Sequence, residues 1–213
     1  MNVQPAAAEP CVYIVDDDRH VLNALSRLLS SAGYKVRAFD SPSDFLREHD
    51  PNVPGCALLD VGMAEIDGLS LQERLVQEES GRPVIFITGF DDAKTSVRAM
   101  KGGAVDYITK PVQDTDLLAA VATAIDSDLG TRQKRTELLD LHRLYEQLTP
   151  REAEILRHVV RGRLNKQIAY DLGIVEKTVK VHRARVMEKL RVRSVAELVR
   201  LAERLGVTEG HNA

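Results

Sequence analysis

The chain has 213 residues and an apolar fraction of 44%, room for one large soluble domain or two modest ones. No apolar run approaches the roughly 20 residues that a membrane-spanning helix requires, which excludes that class. The net charge of −3 hides an asymmetry: residues 1–130 carry 11 basic against 21 acidic side chains, and residues 131–206 carry 18 against 10, so an acidic half suited to a cation precedes a basic half suited to a polyanion.

Residues 1–10, MNVQPAAAEP, have neither a basic leader nor an apolar h-region, and are expected to form a short disordered tail on a cytoplasmic protein. CVYIVD (11–16) is an apolar run ending in acids. Val21, Leu22, Leu25, Leu28 and Leu29 then recur at helical spacing, with Asp18 placed as the N-cap and Gly33 placed to end the helix. Strand-like YKVRAF (34–39), CALLD (56–60), PVIFIT (83–88) and VDYIT (105–109) alternate with helix-like segments at about 42–49, 67–79, 91–101 and 113–127. Cys11 and Cys56 lie inside strand-like runs and read as buried small hydrophobes. Five strands alternating with helices predict a parallel sheet covered on both faces, with right-handed crossovers.

In such a sheet ligands bind at the carboxyl ends of the strands, where the strand order reverses. Asp16 and Asp17 end the first run, Asp60 the third and Thr88 the fourth, and Lys110 follows the fifth. If the first and third strands are neighbours, three carboxylates crowd together and repel unless a cation sits among them. Mg2+ suits a few carboxylates, retained waters and a phosphate oxygen. Lys110 could then neutralise an added phosphoryl group, Thr88 could donate its hydroxyl to it, and Gly89 leaves room.

IVDDD, LLDVGM, FITG and ITKP, in this order and spacing, resemble the receiver domain of two-component response regulators across residues 11–128. The resemblance implies a flavodoxin-like, doubly wound five-stranded parallel sheet of order 2-1-3-4-5. It implies Asp60 as phosphoacceptor, Asp16 and Asp17 as Mg2+ acids with Asp60 and the Gly62 carbonyl completing the ligands, Thr88 as switch hydroxyl and Lys110 as the family's lysine. Tyr107 matches the switch aromatic, although an aromatic in a strand also reads as core. The family usually has proline four residues after the acceptor and a long polar side chain two after it; this chain has Ala64 and Gly62, which leave the loop looser.

Leu117, Val121 and Ile125 line one face of the next helix, and Leu138, Leu141, Tyr145 and Leu148 recur at near-heptad spacing, as a helix packed on its own domain or as a dimer-forming linker. DSDLGTRQKRT is polar, and Gly130 is expected to break the helix there, within a largely helical linker at 129–147. LTPREAEIL then opens a second domain with a capping box: Thr149 as N-cap, Pro150 at the first position, Glu152 at the third. Asn165 is placed to cap NKQIAYDLG, which Gly173 stops; VEKTVKVHRARVMEKL follows a tight turn, and Ser194 with Glu197 caps SVAELVRLAERLG. Short helix, tight turn and longer basic helix form a helix-turn-helix layout. On the long helix Val179, His182, Val186 and Leu190 share one face, leaving Lys177, Lys180, Val181, Ala184 and Arg185 for a major groove.

These motifs resemble the LuxR-type DNA-binding domain over residues 148–206, a separate all-α domain of four helices before a tail at 207–213. Joined to the receiver they resemble the FixJ/NarL branch. The DNA-facing set is then expected to be Lys177, Thr178, Lys180, Val181, Ala184 and Arg185, with Asn165 and Lys166 from the preceding helix. The resemblance implies a sensor histidine kinase and double-stranded promoter DNA as partners, a homodimer when phosphorylated through Val195, Leu198, Val199 and Ala202 among others, and RNA polymerase as a further partner. It implies a transcription regulator rather than a turnover enzyme, with a phosphorylation-independent receiver as the alternative. Val175 stands where the family often places a Ser or Thr cap, which should cost roughly 0.5–2 kcal/mol locally.

Overall fold

The computed structural model describes residues 8–78, 80–89 and 93–207. Most of each expected terminal tail, and residues 79, 91 and 92 at the ends of two expected helices, lie outside that set. The chain divides into two compact units, residues 1–132 and 133–213.

In the first unit the strands are β1 (Cys11–Val15), β2 (Lys35–Phe39), β3 (Gly55–Asp60), β4 (Val84–Thr88) and β5 (Asp106–Thr109). All pairings are parallel and the order is β2-β1-β3-β4-β5, so the order reverses between β1 and β3. The helices between them are α1 (Arg19–Ser31), α2 (Pro42–Glu48), α3 (Gly68–Gln77) and α4 (Ala93–Lys101), and α5 (Asp114–Glu146) follows β5. Every residue of β1, β3 and β4 is buried, because apolar side chains serve both faces of a covered parallel sheet. Tyr13, Val15 and Leu59 point to a cluster with Phe45, Leu71 and Ala99 of α2, α3 and α4. Val12, Ile14, Leu58 and Ile85 point the other way, to Leu25 and Leu29 of α1 and to Leu117 and Val121 of α5. Cys11 and Cys56 are buried free thiols, and burial pushes Cys56 up to about 12, out of reach of thiolate chemistry.

Gly130 does not break the helix: α5 runs unbroken through it. A single helical glycine costs about 1 kcal/mol relative to alanine, and bonds made across it oppose that cost. Arg132 Nε donates to Asp128 Oδ2 at 2.8 Å, one turn back, and its Nη atoms donate to the carbonyls of Pro51 and Asn52. The buried Asp128 carboxylate also accepts from the Gly55 N–H at 2.8 Å, so the fourth turn of the helix is tied to the first residue of β3.

The second unit contains the end of α5, then α6 (Pro150–Val160), α7 (Asn165–Asp171), α8 (Glu176–Lys189) and α9 (Val195–Arg204). Ile155, Leu156, Ile168, Val179, Val186, Leu190, Leu198 and Leu201 form its core, and Leu141, Leu144, Tyr145 and Leu148 pack against it. The face of α5 expected to be either packed or dimer-forming is therefore packed from Leu141 onward, while Leu138 is left exposed. The capping box of α6 is present: the Thr149 hydroxyl accepts from Glu152 N–H, and Glu152 Oε2 accepts from Thr149 N–H at 2.9 Å. Asn165 is not the cap of α7. It is the first helical residue; Leu164 precedes it, and the side chain of Gln167 accepts the Leu164 N–H at 2.9 Å. The Asn165 oxygen is held instead by Arg183, 2.5 Å away. Gly173, at φ 63°, ends α7 in the left-handed conformation that its missing Cβ allows.

Glu152 does a second job. Lys189 Nζ lies 2.6 Å from its Oε2 and also donates to Gln147 O, joining α8 to the start of α6. Burial alone would push the Glu152 carboxyl up, but the hydrogen bonds from Lys189 and Thr149 hold it down at about 2. A carboxylate lowered on folding contributes stability above its unfolded value of 4.5, and loses it as pH falls toward about 2. Glu152→Gln should therefore cost on the order of 2 kcal/mol at neutral pH, after discounting for solvent at the partly exposed Lys189. Hydrogen exchange at the α6 and α8 amides of the full chain should show the loss, and the gap between variant and parent should close between pH 4.5 and 2. A gap that stays constant across that window would remove the carboxylate from the account.

Candidate functional site

β1 and β3 are neighbours, with Val15 opposite Leu59, so the acids that end these strands meet at one rim of the sheet. β3 pairs with β4, Asp60 opposite Ile87, which puts fully buried Thr88 one residue further along. The β4–β5 pairing sets Thr88 opposite Thr109 and is closed by the Lys110 N–H, which donates to Thr88 O at 2.7 Å. Lys110 is thereby turned back over the rim, ahead of a cis bond to Pro111.

Its ammonium bridges two carboxylates: Nζ lies 2.8 Å from Asp16 Oδ2 and 2.8 Å from Asp60 Oδ1. The side chains of Asp16 and Asp60 are only 3% and 10% exposed, against 27% for Lys110, so a partly wet cation faces two nearly dry anions. Burial pushes the Asp16 carboxyl above its ordinary value and the Asp60 charge adds to this, while the bonds from Lys110 and the Asp18 N–H oppose it without cancelling it. Burial also works against the charged Lys110, but its hydrogen bonds to Asp16 and Asp60 outweigh it and hold the group above the usual lysine range. Each side therefore needs the other's charge.

Asp17 does not join this bridge. It is exposed, and its Oδ2 accepts from the Ala64 N–H at 3.3 Å, reaching to the loop after β3. Among the described residues no three His, Cys, Asp or Glu side chains stand ready as a metal cluster. Asp18 caps α1, accepting from the His20 N–H at 2.8 Å. Gly62 donates its N–H to Asp60 Oδ2 at 2.6 Å. Tyr107, on β5, is half-buried and packs against Phe86 with ring centroids 6.3 Å apart. Gly68 is a close approach that the sequence pattern did not single out: a Cβ there would lie 2.2 Å from the Asp60 carbonyl oxygen, so the start of α3 fits against the acceptor strand only without a side chain. Glu65, also overlooked, accepts hydrogen bonds from the hydroxyls of Ser41 and Ser43; its partners lie more than 20 residues away, and no local pattern signals them.

In the second unit Val179, Val186 and Leu190 hold α8 in the core, with His182 half-buried on the same side. Lys177, Lys180, Val181, Ala184 and Arg185 all face solvent, and Thr178 is half-buried. Lys180 pairs with Glu176 one turn back at 3.2 Å, an exposed contact that a phosphate can displace. Lys166 is exposed on α7, whereas Asn165 is half-buried and engaged by Arg183. Tyr170, 89% exposed, stands one turn along α7 from Lys166 and was not singled out because no aromatic pattern surrounds it. No side-chain cap bond is made at Val175, as its apolar side chain requires.

Two family descriptions match the chain: "Response regulator receiver domain" over residues 12–122 and "Bacterial regulatory proteins, luxR family" over residues 146–202. Nodulation protein W of Bradyrhizobium diazoefficiens is 41% identical over 206 residues, covering 97% of this chain and 91% of that protein. Response regulator protein TmoT of Ectopseudomonas mendocina is 44% identical over 197 residues, covering 92% and 90%. The solved structure of response regulator StyR matches with a TM-score of 0.85 at 44% identity, covering 92% of this chain and 100% of that one.

Proposed function

The chain belongs to the two-component response regulators, as a transcription regulator with a receiver and a LuxR-type DNA-binding domain, and from that premise we propose that Asp60 accepts a phosphoryl group from a sensor histidine kinase and that this controls dimerisation and promoter binding. The observation that carries the reading is the Lys110 bridge: one ammonium 2.8 Å from each of two buried carboxylates, at the rim where the strand order reverses. Family membership makes it a regulator and not a turnover enzyme.

The donors near Asp60 are hard oxygens, and two buried carboxylates, Asp16 and Asp60, face the single charge of Lys110, which leaves negative charge for a cation to answer. Asp16, Asp17, Asp60 and the Gly62 carbonyl would hold Mg2+, which when bound screens the negative charge of the transferring group. In the transfer an Asp60 oxygen forms the new P–O bond as the P–N bond of a kinase phosphohistidine breaks, and the imidazole nitrogen keeps the electron pair. Lys110 then exchanges its bond to Asp60 for one to a phosphoryl oxygen. Thr88 would donate its hydroxyl to another, drawing the end of β4 and the half-buried Tyr107 with it. The exposed α8 set, Lys177, Thr178, Lys180, Val181, Ala184 and Arg185, with Lys166 and Asn165 of α7, would face promoter DNA, Asn165 by way of its bond to Arg183. RNA polymerase is a further partner for a DNA-bound dimer, and the setting is the cytoplasm; no helix among the described residues is long and apolar enough to cross a membrane.

Size-exclusion and operator-binding measurements with and without acetyl phosphate and Mg2+ test this. A shift to dimer and tighter operator binding with phosphodonor is expected. A second reading, a receiver that works unphosphorylated, draws on Lys110 already bridging both acids. Equal affinity in both conditions would select it.

A further inference from the structure

With Gly62 and Ala64 in place of stiffer residues, the loop after Asp60 has little intrinsic rigidity. It is nonetheless fastened along its length. Gly62 N–H donates to Asp60 Oδ2 at 2.6 Å, Gly68 N–H donates to Val61 O at 3.1 Å, and Met63 and Ile66 pack into the core. The remaining fastening comes from outside the loop. Both carboxylate oxygens of Glu65 are taken by hydroxyls: Ser41 Oγ donates to Oε2 at 2.9 Å and Ser43 Oγ donates to Oε1. The bonds from Ser43 and Ser41 hold the Glu65 carboxyl below the usual range. Ser41 is itself placed, since it caps α2 and accepts from the Asp44 N–H at 3.3 Å. Ser41 and Ser43, at the start of α2, follow closely on β2, whose Phe39 carbonyl accepts the Asp16 N–H at 3.2 Å. The clip thus joins the acceptor loop to the segment backing the acids of β1. One residue before Glu65, the Ala64 N–H reaches Asp17 Oδ2.

We infer that Glu65 is a positioning residue of the phosphoryl-transfer site: gripped by Ser41 and Ser43, it holds the 61–66 loop so that the Gly62 carbonyl and the Ala64 N–H stay registered with Asp60 and Asp17. Glu65 touches none of the reacting atoms and acts through the loop alone. The inference rests on the reading of Asp60 as phosphoacceptor and of Asp16, Asp17, Asp60 and Gly62 as the Mg2+ ligands.

The test is an Mg2+ titration of the full-length protein without phosphodonor, followed through the amide resonances of Gly62 and Ala64, with acetyl phosphate labelling of Asp60 in parallel. Glu65→Ala is expected to weaken Mg2+ binding about tenfold, as loss of outer-shell support does elsewhere. Ser43→Ala should weaken it in the same direction, and the double variant should be no weaker than Glu65→Ala, because both changes break one clip. Glu65→Gln keeps two hydrogen-bonding atoms at the same reach without the charge, and should stay within about twofold of the parent. The clip lies at the surface, so thermal midpoints should not move. Unchanged Mg2+ affinity in Glu65→Ala overturns the inference. So does a Glu65→Gln loss equal to that of alanine, which marks a distant charge effect, or a double variant whose losses add. A parent protein that neither binds Mg2+ nor labels at Asp60 overturns the underlying reading of the site, and this inference with it.

Discussion

Asp60→Asn should abolish acetyl phosphate labelling, a loss of at least about 10²-fold, and with it every phosphodonor-dependent change in dimerisation and operator affinity. The amide has nearly the shape of the carboxylate, but only one of its two polar atoms accepts, so it can keep the bond from Lys110 or the bond from the Gly62 N–H and not both. What it lacks is the anionic oxygen that forms the P–O bond. The change also removes the like charge facing Asp16, one of the influences raising the Asp16 carboxyl, which should move back toward its ordinary value. Carbon-detected NMR of Asp16 across pH reads that shift separately from labelling. Labelling of the variant at the parent level would place the acceptor elsewhere.

Lys180→Ala with Arg185→Ala should weaken operator binding about 10²-fold and lower the salt dependence of binding by about one unit for each phosphate the two side chains neutralise. The buried side of α8 decides which of its side chains are free. Val179, Val186 and Leu190 fix the helix against its own core, and that leaves Lys180 and Arg185 on the face that can enter a groove. Both lie at the surface: Arg185 is exposed, and among the described residues Lys180 pairs with Glu176 in an exposed contact. Asp60 labelling and thermal midpoint should therefore be unchanged. Fluorescence anisotropy on operator and scrambled duplexes at several salt concentrations separates phosphate from base contacts, and an unchanged operator affinity would remove this face of α8 from the interface.

The sheet and its rim were legible because each strand announces itself by a short apolar run and ends in a group with chemistry, and the parallel pairing then leaves little freedom in where those groups meet. Asp16, Asp60, Thr88 and Lys110 arrive at one rim for that reason. Asp17 was harder to place, since whether it turns inward or toward the loop depends on the Ala64 N–H that competes for it. The capping box at Thr149 and Glu152 was readable because its bonds span three residues. Asn165 misled because a good capping side chain adjoined the boundary, and Arg183, 18 residues away, claims its oxygen. Gly130 misled similarly. Its local cost is real, but Arg132 is fastened to carbonyls some 80 residues earlier, and no window of sequence contains that pairing.

That fastening bears on how the protein should be dissected. Asp128 is 3% exposed and carries a charge answered by Arg132, which lies beyond the point where the strand-and-helix pattern stops. A receiver cut after residue 128 would keep the buried anion and discard its cation, a deletion of the kind that costs about 3–5 kcal/mol. It would also free the carbonyls of Pro51 and Asn52, in the segment leading into the strand that ends at Asp60. A fragment meant to behave like the intact receiver has to end no earlier than Arg132, so the first turn of what looks like tether belongs to the domain it leaves.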